Sequence, residues 1–329
     1  MCTRALWVDG AGAVLVGRNM DFARDLGTNL WVFPRGMERD NGVDDSLAWR
    51  SRHGSMVASA ANDMIVVDGF NEARLAGHLL VLSESRYGER DTSRPALSMS
   101  LWLQYMLDSF ATVADAVAWI ERSQVQIVAQ QDPFDGRAIG LHLALEDASG
   151  DSAVVEYLDG TPQVWHDRSY TVMTNSPPFR EQLERADEIE GLGGTKPLLG
   201  GTGADERFAR ALYYTRRLPK PGSTSEAVAS LLSVMRNVAQ PYRVPDPDEP
   251  FASQTIWRTV MDLTAGIYVY ESTRHPNIVW ARIDGFDLSQ GTAVRKLELA
   301  SSTALEGGLV GDVTGRFVEA SPMQFLRAA

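Results

Sequence analysis

The chain has 329 residues, 44% hydrophobic and 22% charged, with a formal charge of -12 and a single cysteine. The length suffices for one large domain or two smaller ones around a sizeable core, and the acidic excess argues against a nucleic-acid binder that works by neutralising phosphates. One cysteine excludes an internal disulfide, a multi-cysteine metal site and an iron–sulfur cluster held by this chain's thiolates alone.

The first elements predicted are a hairpin. Thr3-Arg4-Ala5-Leu6-Trp7-Val8 runs into the turn Asp9-Gly10-Ala11-Gly12, and Ala13-Val14-Leu15-Val16-Gly17 returns as its antiparallel partner. This puts Arg18, Asn19 and Asp21 just past the second strand, close to the first residues. Asn29-Leu30-Trp31-Val32-Phe33 predicts a strand in a second hairpin-like pairing, ended by Pro34-Arg35-Gly36. Further strands are expected at 55–60, 64–68, 138–146, 152–158 and 170–174; several are continuous apolar or small-residue runs, as in sheets covered by another layer. Asp68-Gly69-Phe70-Asn71-Glu72 reads as a turn feeding the apolar run at 79–82.

Helical segments follow. Thr112 with Asp115 resembles a cap ahead of Ala116, Val117, Trp119 and Ile120, and Ser223 with Glu226 is a capping box ahead of Val228, Leu231, Leu232 and Met235. Ala204 to Leu218 predicts a helix with Arg207 in its early part. After the polar, proline-rich connection 241–250, strands resume at 255–262, 267–272, 278–283 and 294–299. Helices bracketed by strands predict one α+β unit over 1–329, with the connection as a surface loop.

No stretch approaches about 18 consecutive apolar residues, so a membrane span is not expected. The opening MCTRALWVDG lacks the basic and apolar regions of a signal peptide. The sequence therefore predicts a soluble protein, cytoplasmic as it stands and periplasmic if Met1 replaces a native leader. The five histidines have no metal-ligand spacing, and LLGGTG at 198–203 lacks a nucleotide-binding context, so neither a metal nor a cofactor is expected.

Cys2 is the position where chemistry concentrates. With Met1 removed, its thiol and its own α-amine would share one residue. Their ordinary pKa values, about 8.5 and about 7.7, let the amine take the thiol proton near neutrality. Position alone leaves open a second reading, a small buried residue starting a strand.

Four further segments bear on that choice: GRNMDF at 17–22, DGFNEARLA at 68–76, TNSPPF at 174–179 and GTGADERFARAL at 201–212. Together with MCTRALWVDG and SQTIWRTVMDLTAGIYVYES at 253–272, this ordered set resembles the choloylglycine hydrolase family of N-terminal nucleophile hydrolases. The resemblance implies a four-layer αββα sandwich with two antiparallel sheets and a hydrolase of linear amides carrying an apolar acyl group. The penicillin V acylase type is expected first, N-acyl homoserine lactone cleavage second, and a noncatalytic binding protein on the same scaffold among the lower alternatives. Cys2, Arg18, Asp21, Asn175 and Arg207 fall where the family's motifs place functional residues: nucleophile, cation beside the thiol, orienter of the amine, oxyanion donor and second guanidinium. Taken alone, Asp21 and Asn175 fit turn residues, Arg18 a buried structural ion pair, and Arg207 a surface helix residue paired with Asp205 or Glu206.

Family bile salt hydrolases of the Gram-positive type carry an asparagine near position 82, where this chain has Leu82-Ser83-Glu84. Bile-salt cleavage is therefore a lower expectation. Met20, Phe22, Trp31, Phe70 and Tyr87 are expected to line the acyl pocket. The resemblance also implies a small-molecule amide substrate and a homotetramer.

Overall fold

The computed structural model describes residues 1–10, 12–134, 136–243, 252–275, 277–299, 303–304 and 307–328. Two large sheets lie face to face between helices, a four-layer αββα stack with a mixed polar and apolar layer at its centre. The first sheet has seven strands in the order Val172–Met173, Cys2–Val8, Val14–Phe22, Gln254–Asp262, Ile267–Ser272, Ile278–Arg282 and Gly311–Asp312; only the last pairing is parallel. The second has nine strands, all antiparallel: Pro162–His166, Ser152–Tyr157, Leu141–Asp147, Leu75–Val81, Ile65–Asn71, Ser55–Ala60, Asn29–Phe33, Arg295–Glu298 and Val318–Glu319.

Among the described residues, five α-helices cover the outer faces. Helices α1 (Trp102–Ser109) and α2 (Val113–Arg122) pack on the nine-stranded sheet; α3 (Phe179–Asp187) packs on α4 (Ala204–Thr215), which with α5 (Thr224–Asn237) covers the seven-stranded sheet. Thr112 caps α2 by accepting from the Asp115 amide, and Ser223 caps α5 by accepting from the Glu226 amide. Two glycines set how closely helices approach the sheets. A Cβ on Gly17 would lie 2.7 Å from Met235 of α5, and one on Gly77 would lie 2.6 Å from Leu103 of α1.

Several expectations are corrected. The second strand runs on to Phe22, so Arg18, Asn19 and Asp21 lie inside it, because that strand is paired on both sides, with Cys2–Val8 and with Gln254–Asp262. Asp68 to Asn71 belong to a strand rather than a turn, and the chain reverses between Asn71 and Leu75. Asn29–Phe33 pairs with Ser55–Ala60 and Arg295–Glu298, so it forms no local hairpin with the strand before it. Helix α4 stops at Thr215, three residues short of the predicted end. Ala11 of the first turn and most of the 241–250 connection lie outside the described residues.

Candidate active site

Strand alternation in the first hairpin sorts the side chains onto two faces. Cys2, Arg4, Arg18 and Met20 point into the layer between the sheets, where Arg4 meets Glu146 and Arg18 meets Asp68 of the facing sheet. Thr3, Gly17, Asn19 and Asp21 point the other way. Thr3 receives a hydrogen bond from Arg207 of α4, and Asn19 donates to the Met235 carbonyl of α5.

On the inner face, Cys2 Sγ lies at the floor of a cavity of about 880 Å³. Its walls are largely aliphatic and aromatic: Met20, Phe22, Leu26, Ile65, Val67, Leu79, Val81, Tyr87, Phe134, Ile139 and Leu141. The guanidinium of Arg18 stands 3.6 Å from Cys2 Sγ, while Met20 Sδ lies 3.6 Å from the same sulfur. Arg18 is fixed by hydrogen bonds to the carbonyls of Val67 and Leu79, by Asp68 at 3.6 Å, and by the face of Trp257 at 5.3 Å. A buried cation held in this way sets a fixed positive charge against the sulfur.

Behind Cys2, the outer face gathers Asp21, Asn175 and Arg207 from three distant segments. The Cys2 main-chain N–H donates to Asn175 Oδ1 at 2.7 Å, and Arg207 Nη2 donates to the same oxygen at 2.9 Å. Arg207 Nη1 donates to Thr3 Oγ1 and the Cys2 carbonyl, and stands 3.5 Å from Asp21 Oδ2. Burial lowers the Arg207 pKa against the pull of Asp21 and Cys2. Asp21 Oδ1 accepts from Thr255 at 2.6 Å, whereas Asp21 Oδ2 is buried and accepts no hydrogen bond among the described residues. Thr255 sits beside a bulge opposite Met20 and Asp21, a local device that re-aims side chains next to reaction centres.

The Met1 amine donates to the Asp21 carbonyl, and the Asp21 amide donates to the Met1 carbonyl at 2.8 Å. Burial lowers the pKa of that amine; the nearby Cys2 and Asp21 act in the opposite direction and Arg207 and Arg18 with it. An amine at this place is thus biased toward the free base.

All five motif residues converge here. Of the five expected wall residues, Met20, Phe22 and Tyr87 line the cavity and two do not. Trp31 belongs to the apolar layer beneath α1 and α2, with its indole N–H on Asp63. Phe70 faces the other sheet but stacks on Tyr268, at 6.1 Å between ring centres, in the core away from the cavity. Sequence reasoning also missed the supports of Asn175. Gln182 donates to the Asn175 and Pro177 carbonyls, and Ser176 ties the segment to Glu84 at 2.6 Å. No spacing signal links these positions; only the fold brings them together. The Ser83-Glu84 segment, in place of the asparagine of Gram-positive bile salt hydrolases, thus buttresses Asn175 from the side, and Leu82 pairs its amide with the Gly140 carbonyl. No cluster of three or more metal-ligating side chains occurs among the described residues, and no described helix is long and apolar enough to cross a membrane.

Two stacked sheets between helices, with a cysteine of the first strand opening into an apolar cavity, define the N-terminal nucleophile hydrolase architecture. A profile of the family described as linear amide C–N hydrolases, choloylglycine hydrolase family, matches residues 2–296. The chain is 36% identical to a penicillin V acylase of Pectobacterium atrosepticum, over 98% of this chain and 92% of that one. A solved penicillin V acylase from Agrobacterium tumefaciens superposes with a TM-score of 0.89 at 43% identity, covering 99% of this chain and 100% of that one. A conjugated bile acid hydrolase from Clostridium perfringens shares the fold, with a TM-score of 0.79 at 19% identity over 93% of this chain and 99% of that one. The chain belongs to the choloylglycine hydrolase family and is a cysteine-dependent linear amide hydrolase.

Proposed function

We propose that this enzyme cleaves the side-chain amide of phenoxyacetyl-type penicillins, releasing 6-aminopenicillanic acid and a carboxylic acid, with Cys2 as nucleophile after Met1 is removed. The observation that carries the reading is the placement of one thiol between an apolar cavity and a group of buried amine partners. Removing Met1 leaves the α-amine of Cys2 beside Asn175 Oδ1 and near the buried Asp21 Oδ2, which accepts no hydrogen bond among the described residues.

In the first step the amine takes the thiol proton and Sγ attacks the amide carbonyl, giving a tetrahedral oxyanion. Asn175 uses one N–H on the Val81 carbonyl at 2.7 Å and keeps the other for that oxyanion. The protonated amine then passes its proton to the leaving nitrogen as the C–N bond breaks, and the acyl group remains as a thioester. Water, activated by the same amine, hydrolyses it to the acid and restores the thiol. Arg18 favours the thiolate, Asp21 orients the amine, and Arg207 holds Asn175 and the Cys2 carbonyl in register.

The cavity also favours a second substrate class. It is larger than a phenoxyacetyl group fills and is walled mainly by hydrocarbon, so a medium or long acyl chain on a homoserine lactone fits the same floor. The test is product release from penicillin V, penicillin G, medium- and long-chain acyl homoserine lactones, and glycine- and taurine-conjugated bile salts, by mature enzyme and by Cys2→Ser. Preference for penicillin V upholds the first reading, preference for long-chain lactones replaces it with the second, and absence of amide cleavage throughout overturns both. The proposal treats 1–329 as one catalytic unit and its assembly as a homotetramer, which sedimentation of the mature protein checks.

A further inference from the structure

Between the sheets runs a line of charged groups of which the reaction just described uses only the first, Arg18. It starts at the thiol: Arg18 lies 3.6 Å from Cys2 Sγ and 3.6 Å from Asp68 Oδ1. Asp68 Oδ1 lies 2.5 Å from His78 Nδ1, and His78 Nε2 lies 2.5 Å from Glu146 Oε1. Glu146 Oε2 in turn accepts from Arg4 Nε at 2.9 Å. All five side chains, Arg4, Arg18, Asp68, His78 and Glu146, are fully shielded from solvent.

The geometry fixes a proton count. A neutral imidazole has one N–H, yet both ring nitrogens here face a carboxylate oxygen at hydrogen-bond distance. Each contact needs a proton, so the Asp68–His78–Glu146 triplet holds one more than two carboxylates and a neutral ring supply. Wherever that proton sits, the sum is unchanged: two guanidinium charges, two carboxylate charges and one extra proton leave the line with a single positive charge in excess. The other groups facing it are neutral. Thr259 and Tyr268 donate to Asp68 Oδ2, Ser152 accepts from Arg4, and Trp257 lies beneath Arg18. Burial beside Asp68 raises the Tyr268 phenol well above its ordinary range, which keeps it protonated. On the far side of Cys2, Asp21 and Arg207 form an opposed pair at 3.5 Å, and the α-amine of mature Cys2, on Asn175 Oδ1, is the remaining titratable group there, common to the parent protein and every variant compared below.

We propose that His78 is a positioning residue that keeps this buried line one positive charge in excess, and that the Cys2 thiolate is the counter-charge that completes it. The inference rests on Cys2 being the nucleophile. A low-dielectric layer makes an uncompensated charge costly, so the line favours ionisation of the acidic group at its open end, where Arg18 touches the sulfur. Burial alone would push His78 toward the neutral ring, but Glu146 and Asp68 outweigh it and raise its pKa, in keeping with the geometry.

The test uses the mature protein and the fact that Cys2 is its only cysteine. The pH dependence of its alkylation by iodoacetamide, followed by intact mass, gives the thiol midpoint without any substrate. His78→Asn removes the extra proton, and the midpoint is expected to rise by about one pH unit or more, with alkylation about tenfold slower below it. Glu146→Gln alone leaves the excess in place and the midpoint no higher than in the parent protein. The double variant His78→Asn/Glu146→Gln restores the count, and its midpoint returns toward the parent value, which a packing role for His78 would not produce. A midpoint unmoved by His78→Asn, or a double variant as shifted as the single one, overturns the proposal.

If His78→Asn does not fold, carbon-13-labelled histidine in the parent protein decides. The ring assigned to His78, by substituting the other four histidines, is expected to keep both N–H protons through pH 8, and a neutral ring at pH 7 overturns the inference. Neither readout requires turnover, so an inactive substrate panel sinks the proposed substrate while leaving this result to stand or fall separately.

Discussion

The two faces of the first hairpin differ in what they present to Cys2. Toward the facing sheet lie hydrocarbon walls and one fixed cation; toward α4 and α5 lie a carboxylate, an amide and a second guanidinium. A strand offers this separation at no extra cost, since successive side chains alternate and the main-chain nitrogen sits at the boundary. The lesson is that one residue at the strand's start can put sulfur in the apolar compartment and nitrogen in the polar one.

The sharpest way to break the comparison is to empty the boundary. Cys2→Ala should leave the fold and the cavity intact while lowering product release by about 10⁴-fold or more; retained activity in a purified sample would place the chemistry elsewhere. On the polar face, Arg207→Leu strips a buried cation from Asp21, Asn175, Thr3 and the Cys2 carbonyl. Leaving such partners unpaired should cost about 3–5 kcal/mol of stability, read as a lower urea midpoint with an unchanged slope. On the apolar face, Ala60→Phe narrows the cavity that Ala60 lines. It should lower kcat/KM by about fourfold for every methylene it excludes, penalising long acyl chains while sparing penicillin V; equal losses on both substrates would mean the acyl group lies elsewhere.

The charged line between the sheets gives a pH signature. His78 has a folded-state pKa above its ordinary value of 6.5. Its stabilising contribution is therefore fully present below the unfolded pKa and is lost as pH rises through the raised folded one. The stability gap between parent protein and His78→Asn, measured by urea titration, should be widest in mild acid and shrink toward alkaline pH; a gap that widens instead contradicts a protonated ring. Smallest is the change far from either face. Ser223→Ala removes the cap of α5 and should cost about 1 kcal/mol with turnover unchanged.

Much of this was legible in the sequence where the signal is local. Apolar and small-residue runs broken by turn residues marked most strands, and side-chain caps marked α2 and α5. Helix α1 escaped because Trp102 to Asp108 are all buried, leaving no polar stripe to reveal a period. Helix α3 escaped because it starts after Pro178 with no side-chain cap. The convergence of Cys2, Arg18, Asp21, Asn175 and Arg207 was expected from the ordered motifs, whereas Phe70 was misplaced by its position along the strand, which sets it against Tyr268, and Trp31 because the side a strand residue faces depends on which layers pack against it. The charged line was invisible for the same reason. Arg4, Asp68, His78 and Glu146 are ordinary residues at unremarkable spacings until two sheets are laid together.

The solitary thiol has one more consequence. Peroxide that reaches the cavity floor would convert an ionised Cys2 to a sulfenic acid, and the chain carries no second sulfhydryl to trap that state as an internal disulfide. Recovery then depends on thiols small enough to enter between the aliphatic walls. Oxidised enzyme should regain activity with a compact reductant, and fail to do so once the sulfur has advanced to the sulfinic stage.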